Sequence, residues 1–383
     1  MFFSGSVKMK LALLVLAQFF ATSLWFAGNA VYPDLEAASS YAFQLTSSLT
    51  IAVQSGFILG TLFYAVFAIA DRFSPAKVFG LSALLAALMN LIMLLEVPFL
   101  GLFLSRLAVG FFLAGIYPIG MKIAADWADK GLGKSLGFLV GALVLGTAFP
   151  HLLKVLSADF PWQLVIMVTS VIAVLAGITV SFLVGDGPHR APMTRFEFGA
   201  IAQLYANKGL RRAAFGYFGH MWELYAFWAF LPVILTGFGV FSELEVSFIA
   251  FLMIAIGSIG CITGGILSGV IGSRRVAFWS LLISCICALL SSWVYGLPTI
   301  VFLGFLGIWG FFIIPDSPQF SALVANASDP KMKGSALTIV NCIGFSITIV
   351  SIQLLEWMEP LGNIRFSLLA VGPFLGLIAF RKK

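Results

Sequence analysis

The sequence predicts an all-α membrane protein, with twelve transmembrane helices in two pseudo-symmetric six-helix halves. Three observations predict it. Twelve apolar segments divide the 383 residues, each long enough to cross a hydrocarbon core of ~30 Å at ~1.5 Å per residue. The composition is 61% hydrophobic and 10% charged, with a mean hydropathy of +1.05, whereas a soluble domain carries about 25% charged residues. Finally, the 22 Lys and Arg residues, apart from Arg106, Lys154 and Arg365, gather near alternate segment ends, all on one side of the membrane.

The segments run over residues 8–32, 46–70, 77–96, 99–125, 135–157, 162–185, 210–237, 245–271, 277–295, 298–323, 335–357 and 362–380. Lys8 and Lys10 open the first, and Arg72 and Lys77 lie between the second and third. Lys122, Lys130 and Lys134 lie around the fourth-to-fifth connection, and Arg190, Arg195, Lys208, Arg211 and Arg212 around the sixth-to-seventh. Arg274 and Arg275 join the eighth to the ninth, Lys331 and Lys333 the tenth to the eleventh, and Arg381, Lys382 and Lys383 follow the twelfth. Positive charge stays inside. The expected location is therefore a bacterial-type inner (plasma) membrane, with both termini cytoplasmic.

Other classes fit less well. A net charge of +6 would suggest nucleic acid in a soluble protein, but these charges sit in short loops, where topology and anionic lipid account for them. No nucleic-acid partner is expected. Cys261, Cys285, Cys287 and Cys342 all fall inside apolar segments and read as small buried residues, not as a disulfide framework. The first segment exceeds the ~7–15 residues of a signal-peptide core and is expected to remain as a helix. The sequon at Asn326 falls on the cytoplasmic face, where it would not be modified.

Only residues 186–207 form a hydrophilic stretch longer than a tight loop. They separate halves at 1–185 and 208–383, and parallel repeats of this kind mark a large transporter architecture. A shift of 198 positions lays residues 67–77, Phe-Ala-Ile-Ala-Asp71-Arg72-Phe-Ser-Pro-Ala-Lys77, over Gly265-Ile-Leu-Ser-Gly-Val-Ile-Gly272-Ser-Arg274-Arg275. Here the chain resembles the major facilitator superfamily, whose loop between helices two and three reads approximately G-x-L-A-D-R-x-G-R-R. The first copy keeps Asp71, Arg72 and Lys77 but has Phe67 and Ser74 in place of glycines. The second keeps Gly265, Leu267, Gly272, Arg274 and Arg275 but has Gly269 in place of the acid. The resemblance implies a gating loop in which Asp71 helps to latch the cytoplasmic side; the alternative is that these charges only set topology. In the fourth segment, Leu102, Arg106, Gly110 and Ala114 also fit a family pattern, with Val109 where Gln is frequent. The fifth carries Gly137, Gly141, Gly146 and Pro150 but lacks the Gly-Pro ending associated with the family's antiporters.

Ionisable groups within a membrane cost about 2.5–3.5 kcal/mol or more, so each is a functional candidate. Tyr217, His220 and Glu223, at i, i+3 and i+6, are expected along one face of the seventh helix. A carboxyl there can carry a proton with His220 as relay; the alternative is a His–Glu pair that joins two helices. His-x-x-Glu alone supplies too few ligands for a metal, and no metal or other cofactor is expected. Arg106 offers a fork for an anion or a buried acid, or else reaches the outer surface. Tyr117, at i+11, is expected on the same face, whereas Lys122, roughly 160° away, is expected to snorkel to the cytoplasm. Asp316 lies between Pro315 and Pro318, where the backbone ladder must break. It reads either as a cation or proton site or as a cap. Gln18, Trp25 and Asn29 share a face of the first helix, and Thr338, Asn341 and Thr348 one of the eleventh. Both read as cavity walls or as interhelical glue. His151 and Lys154, near an outer end, are expected to attract an anion or to belong to the interface.

Together these features point to a monomeric secondary transporter, not an enzyme, that moves a small polar solute, leaning anionic, by alternating access with protons as the coupling ion. The transporter-class alternative is a proton-driven exporter of amphipathic or drug-like compounds. An intramembrane enzyme would need a nucleophile–base constellation, and a receptor a signalling surface; neither is visible. Proton coupling is assigned to Glu223, His220 and Asp316, and solute contact to Gln18, Trp25, Asn29, Arg106, Tyr117, Tyr217, His220 and Asn341. The orientation is testable directly. Single cysteines placed in residues 186–207 are expected to react with a membrane-impermeant thiol reagent only after the membrane is opened. Labelling in intact cells would reverse the topology.

Overall fold

The computed structural model describes residues 5–38, 45–127, 132–190, 196–329 and 331–381; Lys130, Arg195, Lys382 and Lys383 lie outside them. Twelve helices have the length and apolarity of membrane spans: Val7–Ala37, Thr46–Val66, Pro75–Leu94, Phe99–Trp127, Ser135–Leu156, Gln163–Val184, Lys208–Phe238, Glu243–Ile271, Ser273–Leu290, Thr299–Ala327, Lys333–Trp357 and Glu359–Phe380. They are called spans 1 to 12 below. Among the described residues there is no strand.

The chain forms two compact units, Met1–Arg195 and Phe196–Lys383. In the first, span 2 packs on span 4, span 3 on span 6, and span 1 on spans 5 and 6. In the second, span 7 packs on spans 11 and 12, and span 8 on span 10. The hydrophilic stretch between them is shared. Asp186 Oδ1 accepts from the Ala76 amide at 2.9 Å in the first unit. The short helix Gly199–Ala206 places Ala200 in a cluster with Ala336 and Ile339 of the second.

The units repeat each other down to individual backbone contacts. A Cβ added to Gly110 would stand 2.0 Å from the Val53 carbonyl oxygen, and one added to Gly310 would stand 2.2 Å from that of Met253. One on Gly60 would meet the Phe111 carbonyl at 2.3 Å, and one on Gly260 that of Phe311 at 2.2 Å. These pairs are related by a single shift of 200 positions. Spans 2 and 4, like spans 8 and 10, approach so closely that no side chain fits between them, which is how small residues drive packing between apolar helices. The shift falls to 198 at the intervening loop. There the first unit inserts the short helix Ile69–Arg72 after Ala68 at φ 48°, and the second turns on Gly272 at φ 86°.

Spans 10, 4 and 1 are each broken, and each break has a local cause. Span 10 stops at Phe312 and restarts at Asp316, because Pro315 and Pro318 remove backbone donors. Span 4 stops at Leu113 and restarts at Tyr117, just ahead of Pro118. Span 1 stops at Thr22 and restarts at Ala27. There Thr22 Oγ1 bonds the Gln18 carbonyl and Ser23 Oγ that of Phe20, each at 2.7 Å, and such back-bonding bends helices. Two sequence expectations change in consequence. Gln18 precedes the break, Trp25 lies within it and Asn29 follows it, so the three do not run along one regular helical face, and Arg106 and Tyr117 are likewise separated.

Gly110→Ala and Gly310→Ala are each expected to lower the unfolding temperature in detergent, since overpacking costs about 1–3 kcal/mol. Gly304→Ala, whose added Cβ meets nothing within 4 Å, is the matched control and is expected to be neutral. Equal stability of all three would mean that the close approach is not required.

Candidate functional site

The first polar centre forms around the break in span 1. Arg106 is 0% exposed. Its Nη1 donates to Asn90 Oδ1 at 2.8 Å, and its Nη2 to the carbonyls of Leu24 and Trp25 at 3.2 and 3.0 Å. Those carbonyls lie in the interruption of span 1. Asn90 in turn donates to Ser170 Oγ at 3.0 Å. The chain of contacts therefore runs from span 6 through spans 3 and 4 to span 1. This corrects two expectations, because the guanidinium neither reaches the outer surface nor pairs with an acid. Freed backbone carbonyls in an apolar medium need a donor, and Arg106 supplies it.

Other candidates in this unit surround that centre. Asn29 Nδ2 donates to Thr50 Oγ1 at 2.8 Å, and the Trp25 and Phe57 rings stand 4.7 Å apart. Gln18 is fully buried, with its carboxamide oxygen over Gly120. Gln54, absent from the sequence reading, is equally buried, and neither glutamine amide has a hydrogen-bond partner. Tyr117 starts the lower segment of span 4. Toward the other end of span 5, Lys154 pairs with Asp34 at 2.7 Å and His151 is buried. Lys154 is thus already paired within the protein, and His151 is enclosed rather than presented at an outer end.

The second centre lies on span 7, and its partners differ from those expected. His220 Nδ1 is 2.9 Å from Asp316 Oδ1, where span 10 restarts. Glu223 accepts from the Trp309 indole and, at 2.9 Å, from Ser284 Oγ. Tyr217 packs over Gly344 of span 11. The three residues do not line one face. Each three-residue step turns a helix by about 300°, so Tyr217 and Glu223 diverge by about 120° and address different neighbours. His220 and Glu223 are each 1% exposed and Asp316 is 0% exposed. Asn341 is partly buried on span 11. Asn90, Ser284 and Trp309 were not singled out from sequence; a tryptophan in the middle of Leu306-Gly307-Ile308-Trp309-Gly310 was the available signal.

The loop residues form a third group. Asp71 pairs with Lys122 at 2.7 Å, so Lys122 does not simply snorkel. Arg190 Nη2 donates to the carbonyls of Ala70, Asp71 and Phe73. Arg72 and Lys77 are exposed. In the second unit Gly265 lies within span 8 and Gly272 ends it. Arg274 Nη2 donates to the Phe380 carbonyl at 3.2 Å, and Arg275 is exposed. Among the described residues no three His, Cys, Asp or Glu side chains gather as a metal-ligand set.

Asn90→Leu is expected to cost about 2–3 kcal/mol, because it leaves a buried cationic donor without its acceptor. Asn90→Asp keeps the acceptor and is expected to retain most of the stability. Thermal unfolding in detergent measures both, and a fully stable Leu variant would show that Arg106 does not depend on Asn90.

A sequence profile described as Major Facilitator Superfamily matches residues 14–352. No curated protein sequence matches the chain. Among solved structures, the fold is similar to a bacterial homologue of the human lysosomal transporter Spinster. The inward-facing, occupied form of that protein superposes with a TM-score of 0.71 at 13% identity, covering 99% of this chain and 96% of that one. Its inward-facing, unoccupied form gives 0.68 at 15% identity, covering 99% and 93%. At such identities the likeness speaks for the fold alone. The family match, spanning most of both six-helix units, shows that this multi-pass membrane protein belongs to the Major Facilitator Superfamily of transporters.

Proposed function

We propose that the protein is a proton-coupled symporter of a small polar solute, working by alternating access with Glu223 as its proton carrier. The observation that supports this most is the setting of Glu223, a carboxyl almost without solvent contact whose two oxygens accept from neutral donors, Trp309 and Ser284. A charge held in this way has no adjacent cation to balance it, and a proton does so instead. One turn earlier, His220 and Asp316 form a second protonatable pair, at the restart of span 10.

Solute contact is assigned to Gln18, Trp25, Asn29, Tyr117, Tyr217 and Asn341, with Gln54 added. Arg106 and Lys154 already have partners, which moves the proposal from an anion toward a neutral or zwitterionic solute. Carboxamides without partners, such as Gln18 and Gln54, suit a molecule that both donates and accepts hydrogen bonds. The Lys and Arg distribution supports cytoplasmic termini.

The test begins with uptake of candidate solutes into proteoliposomes, with and without a proton gradient. For a solute that accumulates, Glu223→Gln is expected to abolish proton-driven accumulation while solute exchange persists, because the amide keeps the shape but releases no proton. His220→Ala is expected to give a milder loss. Accumulation by Glu223→Gln at the wild-type rate would move the proton role to Asp316.

A further inference from the structure

At one end of the second unit, Arg274, Arg275, Phe278, Trp279 and Phe380 line a cleft of about 350 Å³. Its walls have two chemistries. Arg274 is held in place, since its Nη2 donates to the Phe380 carbonyl and its guanidinium lies 5.3 Å from the Phe380 ring centroid. Arg275 beside it is exposed. Trp279 is 55% exposed, one turn along the same helix. On the neighbouring span 8, Ile266 and Val270 are 63% and 80% exposed, an apolar surface suited to acyl chains.

Comparison of the two units sharpens the point. At the start of span 3, the Ala76 amide bonds the Asp186 carboxylate, and Ser74 Oγ accepts from the Lys77 amide. The loop there carries Asp71, paired with Lys122. The matching start of span 9 has Gly272 as its cap, with no side-chain hydrogen bond, and Gly269 where the acid would stand. After its last span, where the first unit has Asp186, the second reads Arg381-Lys382-Lys383 in sequence. The first unit supplies carboxylates at this place, whereas the described residues of the second present Arg274 and Arg275.

We propose that this cleft binds the phosphodiester headgroup of an anionic phospholipid between Arg274 and Arg275, with Trp279 against its glycerol and acyl region. The arginine fork matches two phosphate oxygens. The first-turn amides of span 9 add positive potential, and an exposed tryptophan at a membrane boundary favours the interface. A lipid fills the apolar wall as well as the cationic one, which a free anion does not.

Native mass spectrometry of the detergent-purified protein, titrated separately with phosphatidylglycerol and phosphatidylcholine, tests this. Wild type is expected to hold phosphatidylglycerol about thirtyfold more tightly, on the order of tenfold or less per arginine. The exposed Arg275→Gln, alone or combined with Arg274→Gln, is expected to remove most of that preference, whereas Arg274→Lys with Arg275→Lys keeps part of it. Arg211→Gln with Arg212→Gln, an equal loss of charge elsewhere, is expected to leave it unchanged. Any of three results overturns the assignment: no preference in wild type, an equal loss in the Arg211/Arg212 variant, or full displacement of the lipid by millimolar inorganic phosphate, which would make the cleft a free-anion site.

Discussion

The backbone of span 1 opens between Thr22 and Ala27, and in an apolar medium its carbonyls must still be satisfied. A carbonyl in hydrocarbon has no water to turn to, so an interrupted helix persists only where protein supplies donors. Arg106 does so for Leu24 and Trp25. It brings a cost of its own, because a buried guanidinium also needs partners, and Asn90 meets part of that need. Asn90 is in turn oriented by Ser170. Four spans are thereby tied to the shape of one bend, and Trp25 and Asn29 take their places from it.

The second unit places an acidic residue, not a basic one, at its break. Its break is in span 10, where the prolines remove donors and a carboxylate, Asp316, stands at the restart of the helix. An acid at a helix start stands near the positive end of the dipole, although this start has no side-chain capping bond. His220 meets Asp316 from span 7. Both units keep the same contacts between paired spans, through Gly60 and Gly110 in one and Gly260 and Gly310 in the other. The repeated scaffold is therefore steric, and the divergence is electrostatic. That division suits a transporter, since the packing must stay constant while the two polar centres take different tasks.

Much of the architecture was legible because it depends on quantities that a sequence displays directly. Span length, the position of Pro315 and Pro318, and the alternation of Lys and Arg all read out without side-chain geometry. The break in span 1 was not legible. It has no proline at the site, and two hydroxyls bonding back to Gln18 and Phe20 look in sequence like ordinary small residues. Partners were harder still. Spacing put His220 beside Glu223, but it does not say what each meets, and only the packing of spans 9 and 10 reveals Asp316 as the partner of His220 and Ser284 and Trp309 as those of Glu223. The partner of Lys122 was hidden for a related reason: its reach to Asp71 depends on how span 4 turns after Leu113, which helical-wheel arithmetic assumes away.

Glu223 on span 7 and Asp316 on span 10 are not equivalent, because their partners differ. Glu223 faces an indole and a hydroxyl, neither of which changes charge, so arrival of a proton alters the charge of that centre outright. Asp316 faces a base that can itself hold a proton, and a proton arriving there is shared across an existing contact. The first arrangement couples proton occupancy to the cost of burying a charge, which is large in a low-dielectric setting. The second couples it to the link between span 7 and the lower segment of span 10. On the proposed reading a proton carrier is suited by the former, because its loaded and empty states must differ strongly in free energy. A joint between moving helices needs the latter, because a contact that tightens or slackens shifts the balance between two arrangements without having to create either.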